Sequence, residues 1–218
     1  MSEQSAAREE ILGRISAALL DSTSVRIADY RSIPRAYRSV GELSAEACLD
    51  LFVDRLVDYG AEVIQVPSEI ELPAAIAQAL HSSHESFVVV PEAFPQAWLP
   101  ASCHVKRDRG LSTAEIDRAE TVVTTCKSAV AATGTIVLVH EGDDGRRVLT
   151  LLPDHHICLV HRGQIVEVLP EALKTIYAQS HFPITTISGP SATSDSEMTR
   201  IRGVHGPRRL TVVIFGQF

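Results

Sequence analysis

The sequence predicts an α/β protein built in three layers, with a mostly parallel or mixed sheet and helices on both of its faces. Three observations lead to this prediction. Short apolar runs alternate with amphipathic stretches of about 10–15 residues, as in βαβ units. Residues 86–90 form a near-continuous apolar run, typical of a strand buried on both faces of a parallel sheet. Right-handed crossovers between such strands then place helices on both sides.

The chain has 218 residues, enough for one well-cored domain with an additional arm. Residues 6–20 predict an amphipathic helix whose apolar side chains share one face: Ile11, Leu12, Ile15 and Leu19. Such an arm either packs on the body of the chain or reaches a partner, and we expect packing on the same chain. Residues 21–41 have no clear period and predict an irregular connection. We therefore divide the chain into an N-terminal helical arm with its connection, residues 1–41, and an α/β domain, residues 42–218.

The first half of the domain predicts helices that alternate with strands. Ser44 can cap a helix with apolar residues at helical spacing, and Gly60 is placed to end it. A strand is predicted at residues 61–66. The next helix has an ambiguous start, because the capping box at Ser68 favours an earlier residue than Pro73 does. After the strand at 86–90, three prolines predict a loop-rich passage: Pro91, Pro95 and Pro100.

The second half predicts a series of strands. Ser112 and Glu115 form the capping box of a short helix, and Pro170 suits the first position of another. Residues 120–125 and 136–140 predict strands on either side of a turn of small residues. Further strands are predicted at 148–152, 157–160, 164–168, 184–187 and 210–215. The hairpin-like arrangement within 120–168 is the reason to allow for a mixed sheet.

Composition excludes several classes of function. The net charge of −7 argues against a protein that wraps nucleic acid or an anionic membrane. The first residues lack a long apolar core, and no stretch reaches the ~18 apolar residues of a membrane span, so we expect a cytoplasmic protein. No Cys-x-x-Cys pair occurs, which favours reduced thiols and predicts neither an iron–sulfur cluster nor a structural zinc in this chain. Gly-x-Gly, Walker A, Gly-x-Ser-x-Gly and His-Glu-x-x-His motifs are also absent.

Thr133, Gly134 and Thr135 form the first of three polar phrases, directly before the strand predicted at 136–140. Gly134 can present an unhindered N–H, and the two threonine hydroxyls can donate to an anion. The alternative is a tight turn into the strand, and the residues alone favour that turn.

The second phrase, residues 189–195, follows the strand predicted at 184–187. The turn at Gly189 can offer backbone N–H groups, and Ser191 and Thr193 can offer hydroxyls, to a carboxylate or phosphate. Asp195 can orient a substrate hydroxyl, accept a proton or bind a cation. The alternative is that Thr193 or Ser194, together with Asp195, only caps a short helix, and the residues do not decide between the two.

The third phrase, residues 203–208, precedes the last predicted strand. Gly203 and Gly206 flank His205 closely, which indicates a constrained loop. His205 can act as an acid or a base, and Arg208 can clamp a carboxylate. The alternative is a histidine that is hydrogen-bonded to the backbone of a turn. His155, His156, His205 and Asp195 match no standard ligand spacing, so no metal site is predicted.

Four phrases in one order carry a resemblance: Ala-Thr-Gly-Thr-Ile-Val-Leu (132–138), Leu-Leu-Pro-Asp-His-His-Ile (151–157), Gly-Pro-Ser-Ala-Thr-Ser-Asp (189–195) and Gly-Val-His-Gly-Pro-Arg (203–208). As a set they resemble the lactate-utilisation protein C family, whose members carry a LUD domain. The resemblance runs from about residue 85 to the end. This chain departs from the family pattern at Ala132, where an acidic residue is usual, and at Ala192, where the family has an arginine.

The resemblance implies a fold like that of ribose-5-phosphate isomerase and the CoA transferases. It also implies a subunit of a complex that oxidises L-lactate to pyruvate, with iron–sulfur clusters in partner subunits and no cofactor in this chain. The three polar phrases would then bind a small carboxylate such as lactate or pyruvate, with Arg208 on the carboxylate and with His205 and Asp195 as the catalytic pair. The alternatives are a free-standing enzyme of the same fold that acts on sugar phosphates or acyl-CoA, or a non-catalytic ligand-binding scaffold.

Overall fold

A six-stranded parallel sheet lies at the centre of the computed structural model, which describes residues 3–20, 32–177, 181–193, 201–203 and 205–217. Within these residues the helices, in chain order, are α1 (Glu3–Leu20), α2 (Ala45–Asp58), α3 (Leu72–Ser82), α4 (Thr113–Ile116) and α5 (Leu169–Ile176). The strands are β1 (Glu62–Val66), β2 (Phe87–Pro91), β3 (His104–Asp108), β4 (Thr121–Thr124), β5 (Ser128–Val130), β6 (Thr135–Val139), β7 (His155–His161), β8 (Ile165–Val166), β9 (Ile184–Ile187), β10 (Ala192–Thr193), β11 (Ile201–Arg202) and β12 (Arg209–Phe215).

The chain divides into two compact units, residues 1–37 and residues 38–218. The first unit contains α1, which confirms the predicted helix. Its apolar face is exposed, with Ile11 at 59% and Ile15 at 50% of their surface. Residues 21–31 of the predicted connection lie outside the described residues. No helix in the described part of the chain is long and apolar enough to cross a bilayer.

The central sheet has the order β1-β12-β7-β4-β2-β3, and every neighbouring pair is parallel. Its inner strands are apolar on both sides, as the sequence predicted. On β12, Leu210, Val212 and Ile214 face one layer while Val213 and Phe215 face the other. This alternation is how a parallel sheet is buried on both faces.

Helices cover both faces, which confirms the predicted α/β class. Phe52 and Leu56 of α2 pack on the face that carries Val212. Leu72 and Ile76 of α3 pack on the opposite face. The N-terminus of α2 is fixed by Ser44, whose hydroxyl accepts a hydrogen bond from the backbone N–H of Ala47, as the predicted cap requires.

A second, four-stranded sheet lies on the same side as α2, in the order β8-β5-β6-β9. Its β5–β6 and β6–β9 pairs are antiparallel. The antiparallel pairing expected within residues 120–168 is therefore held in this separate sheet, and the central sheet stays purely parallel. Ala172 and Ile176 of α5 pack against β5 and β6.

Three element predictions were wrong. The segment between residues 125 and 136 was predicted as a turn of small residues, but it contains the short strand β5. Residues 148–152 were predicted as a strand, but Arg147–Thr150 is a 3-10 helix that Leu151 caps. The loop-rich passage after Pro91 is followed by β3, which the sequence did not predict. β3 is an edge strand with only Asp108 buried, so it has charged residues where an inner strand would have an apolar run.

Candidate functional site

A cavity of about 200 Å³, called here the His205 cavity, lies beside the amino ends of β7 and β12. His156 and Leu210 line it from these two strands. Its other walls are β9 with the loop that follows it, the loop before β12 and the 3-10 helix that begins at Arg147. The polar and charged side chains that line it include Arg147, His156, Ser188, Ser191 and His205.

The second and third polar phrases come together at this cavity. The backbone N–H of Ser191 donates to the carbonyl of Pro207 at 2.9 Å, and that of Gly203 donates to the carbonyl of Ser191 at 2.9 Å. Beyond these bonds β10 pairs with β11 in an antiparallel ribbon. The two phrases, which are neighbours in the sequence, therefore form one wall, with Gly189, Ser191, His205 and Gly206 around the same space.

Gly189 is required by the close approach of α2 rather than by a ligand. Its φ is +87°, and a Cβ at this position would lie 2.6 Å from Cβ of Tyr59. An L side chain there would be strained and would also clash. Gly206 is different, because a Cβ there would make only ordinary van der Waals contacts, with Ser191 and the carbonyl oxygen of Thr150.

His156 is the buried polar group of the cavity. Its Nε2 lies 2.8 Å from Oγ1 of Thr124, whose hydroxyl in turn can donate to the carbonyl of Thr125 at 2.9 Å. Burial first, and then the charges of His155 and Arg147, lowers the pKa of His156 to about 3. The ring is therefore neutral at physiological pH.

Arg147 supplies positive charge at the cavity, and the sequence analysis did not identify it. Its Nη1 donates to Oγ1 of Thr150 at 2.8 Å, and the side chain is otherwise open to solvent. The described residues that line the cavity include no aspartate or glutamate. The Arg146-Arg147 pair could have indicated an anion site. It was not used because residues 148–152 were predicted as a strand, whereas they follow a turn that brings Arg147 to the cavity.

Arg208, Asp195 and Thr193 do not enter the described geometry of the cavity. Arg208 lies against Asp154, with Nε 3.6 Å from Oδ1, and lines a neighbouring cavity instead. Asp195 lies outside the described residues, so its predicted pairing with His205 stays a prediction. Thr193 is described only through its backbone in β10.

The Thr133-Gly134-Thr135 phrase does not line the cavity but contacts the lining residue Ser188. Oγ1 of Thr135 lies 2.7 Å from Oγ1 of Thr133 and 2.7 Å from Oγ of Ser188, so its hydroxyl is satisfied inside the protein. Gly134 has φ +57°, and a Cβ there would lie 2.7 Å from Cβ of Arg55. These contacts favour the tight-turn interpretation over direct anion binding.

A second cavity, of about 500 Å³ and called here the carboxyl-end cavity, lies where β4, β7 and β12 end. Ligands of open α/β sheets commonly bind at such ends. Its charged lining includes Lys127 but also four carboxylates: Glu69, Glu141, Asp143 and Asp144. Asp144 is buried and accepts hydrogen bonds from Thr125 Oγ1 and the Val139 N–H. Burial, together with the nearby Asp143, raises the pKa of Asp144 to about 6.

Metal-binding groups are scattered in the described part of the chain. No set of three His, Cys, Asp or Glu side chains there is arranged to hold a metal ion. The four cysteines are free thiols, and Cys48, Cys126 and Cys158 are buried. Their arrangement does not fit the four-thiolate ligation of an iron–sulfur cluster.

Comparison with known proteins gives consistent matches. A family model described as "LUD domain" matches residues 45–215. A protein from Deinococcus radiodurans named "Lactate utilization protein C" is 45% identical over 200 residues, which cover 89% of this chain and 93% of that protein. "Lactate utilization protein C 1" of Bacillus mycoides is 39% identical over 98 residues, 42% of each chain.

A solved structure matches as well. The crystal structure of a DUF162 family protein from Deinococcus radiodurans superimposes with a TM-score of 0.70 at 43% sequence identity. The match covers 80% of this chain and 100% of that one. The α/β architecture described above is therefore shared with an experimentally determined fold.

Proposed function

Since the chain belongs to the LUD domain family, we propose that it acts in lactate utilisation, as the subunit that binds the small carboxylate in a complex that oxidises L-lactate to pyruvate. The observation that carries this proposal is the contrast between the two cavities. The His205 cavity has Arg147 and no carboxylate among its described lining residues, whereas the carboxyl-end cavity has four carboxylates. A monoanion such as lactate is attracted to the first and repelled by the second.

The size of the His205 cavity supports the same ligand class. Its volume of about 200 Å³ is below the ~300–1,000 Å³ of clefts that take drug-sized ligands. A three-carbon acid needs only such a small space. A nucleotide or a CoA thioester does not fit inside it.

The residues divide into a binding role and a proton-transfer role. In this proposal Arg147, which lines the cavity, pairs with the carboxylate, because a guanidinium matches a carboxylate in both shape and charge. His205, which lines the cavity from the loop before β12, takes the hydroxyl proton of lactate as the carbonyl of pyruvate forms. The expected role of Arg208 on the carboxylate passes to Arg147, because Arg208 lies beside Asp154 in the neighbouring cavity.

Oxidation of lactate also releases two electrons and the Cα proton. The proposal assigns the two electrons, one at a time, to iron–sulfur clusters in partner subunits, and the Cα proton to a base in the same assembly.

The test is ligand-dependent thermal stability of the purified chain. A ligand that binds the native state at 100 times its Kd stabilises by about 2.7 kcal/mol, which raises the Tm of a protein of this size by roughly 5–10 °C. We expect this shift with L-lactate, and expect it to vanish in Arg147→Met. Arg109→Met is the matched control, because Arg109 is exposed, pairs with Glu92 and lies outside the cavity.

Other outcomes point to other functions. A shift with ribose 5-phosphate or CoA, and none with lactate or pyruvate, would contradict the proposal and favour a sugar-phosphate or acyl-CoA enzyme. Co-purification with an iron–sulfur protein and lactate oxidation by that assembly would support the proposed complex. Loss of oxidation in His205→Gln, with lactate binding retained, would support the proton-transfer role.

A further inference from the structure

One ring nitrogen of His156 has no hydrogen-bond partner among the described residues. Nε2 faces Thr124, and no hydrogen bond to Nδ1 occurs among the described residues. Every fully buried side-chain nitrogen or oxygen in the described part of the chain has a partner. His156 is 99% buried, with 1% of its surface exposed, and it lines the His205 cavity. The small open part of the ring is therefore Nδ1, and it faces the cavity.

The neighbours of His156 determine which nitrogen carries the proton. If Nε2 carries it, Nε2–H donates to Thr124, and the Thr124 hydroxyl donates onward to the carbonyl of Thr125. If Nδ1 carries it, the single Thr124 proton must choose between Nε2 and that carbonyl, and one hydrogen bond is lost. The Nε2–H form makes both bonds and is favoured in a dry environment.

The charge of Arg147 acts in the same direction. Arg147 lines the same cavity and is one of the groups that disfavour a positive His156 ring. A nearby cation favours a lone pair, rather than an N–H, on the side of the ring that faces it. The cavity is therefore lined by a cationic group and by a hydrogen-bond acceptor that has no donor among the described residues.

We propose that His156 selects the ligand of this cavity for a hydroxyl group next to its carboxylate, so that the site prefers a 2-hydroxy acid over the matching 2-keto acid. In the bound ground state the hydroxyl donates to Nδ1 while Arg147 holds the carboxylate, and the hydroxyl turns to His205 only when its proton is transferred. A keto oxygen has no proton to donate and would place two acceptors against each other. This inference rests on the proposed function and deepens it, because it assigns the residue that distinguishes substrate from product.

The closing experiment compares L-lactate, pyruvate and propionate by calorimetric titration of the full chain. We expect lactate to bind at least tenfold more tightly than the other two, because one buried acceptor is satisfied only by the hydroxyl. In His156→Phe we expect lactate and propionate to bind alike. Thr124→Val removes the group that holds the proton on Nε2, so the preference for lactate over pyruvate should shrink or reverse.

A matched control is available on the opposite face of β7. His155 Nε2 lies 2.8 Å from Thr211 Oγ1, a second buried histidine–threonine pair outside the cavity. Thr211→Val removes the same kind of hydrogen bond and should leave the lactate preference unchanged. An equal effect of Thr124→Val and Thr211→Val would overturn the inference.

The tautomer of His156 in the ligand-free protein tests the selectivity inference separately from the proposed lactate-binding function. The ¹⁵N chemical shifts of His156 report the tautomer directly, and an Nδ1–H ring would overturn the inference whatever binds. If lactate and pyruvate bind equally and His156→Phe changes neither affinity, the inference fails while the proposed function stands. If no small carboxylate binds, the proposed function fails and the inference fails with it.

Discussion

Oε2 of Glu85 lies 2.7 Å from Nδ1 of His155, with 7% and 1% of the two side chains exposed. The same Oε2 accepts a hydrogen bond from the Thr121 hydroxyl at 2.6 Å, and Arg209 bonds the other carboxylate oxygen. His155 in turn contacts Thr211. The cluster therefore joins the amino ends of β4, β7 and β12, next to the His205 cavity.

Glu85, His155 and Thr211 form an acid–histidine–hydroxyl chain of contacts like that of a catalytic triad. Their role here is structural. Thr211 is fully buried, and its hydroxyl also lies 3.1 Å from Glu62. No substrate can reach it. The role of the cluster is to satisfy polar groups on neighbouring strands where their amino ends meet.

The first prediction concerns this cluster. Glu85→Ala should lower the free energy of unfolding by about 3–5 kcal/mol, because it leaves Arg209, His155 and Thr121 without their shared acceptor. Urea denaturation measures this loss. Glu92→Ala is the matched control, since Glu92 and Arg109 form an exposed pair that should be worth about 0.5 kcal/mol or less. Similar losses in the two variants would contradict a structural role for the cluster.

The second prediction is a loss of stability in acid that arises from His156. Its pKa is about 3 in the folded chain and about 6.5 when exposed, so below pH 6.5 the unfolded state binds more protons. The stabilisation that depends on a neutral His156 is fully present above pH 6.5. It is lost progressively as the pH falls toward 3. At pH 5 the loss should be about 2 kcal/mol. A phenylalanine side chain cannot titrate, so the denaturation midpoint of His156→Phe should change less between pH 7 and pH 5 than that of the parent chain. An equal change in the two proteins would contradict the prediction.

The third prediction has the opposite sign and concerns Asp144. Its pKa is raised from 3.8 to about 6 on folding, so the folded state holds the proton more tightly and stability falls as the pH rises from 4 to 6. At pH 7 the ionised carboxylate costs about 3 kcal/mol. Asp144→Asn keeps both hydrogen bonds, because the amide can accept from the Val139 N–H and donate to Thr125 Oγ1.

Asp144→Asn should therefore be at least as stable as the parent at pH 7 and less stable relative to it at pH 4. Thermal unfolding of both proteins at pH 7 and pH 4 measures this crossing, which is the change in their relative stability between the two pH values. Asp50→Asn is the control, because Asp50 is exposed on α2, does not line the carboxyl-end cavity and should give no such crossing. A large loss at pH 7 would mean that the negative charge of Asp144 is needed for the fold.

Local signals in the sequence predicted much of the fold and little of the site. The Ser44 cap and the apolar run at residues 86–90 depend on neighbours in the chain, so they could be identified from the sequence. The contact between His156 and Thr124 joins residues 32 positions apart and follows from the pairing of β4 with β7, which no local pattern encodes. Arg208 was grouped with His205 because they are close in sequence. The chain enters β12 immediately afterwards, and the two side chains line different cavities.

The last prediction separates close packing from backbone strain at the wall of the His205 cavity. Gly189 and Gly110 have nearly the same φ, +87° and +88°, but a Cβ on Gly189 would meet Tyr59 at 2.6 Å while a Cβ on Gly110 would meet nothing within 4 Å. Gly110→Ala should cost only the left-handed strain of an L residue, about 1–2 kcal/mol. Gly189→Ala adds the clash with α2, so its loss of unfolding free energy should be larger. Because Gly189 lies between Ser188 and Ser191 in the cavity wall, relief of that clash must move the wall, and lactate binding should weaken in Gly189→Ala but not in Gly110→Ala. Equal stability losses with unchanged lactate affinity would show that the loop moves away from α2 without moving the cavity.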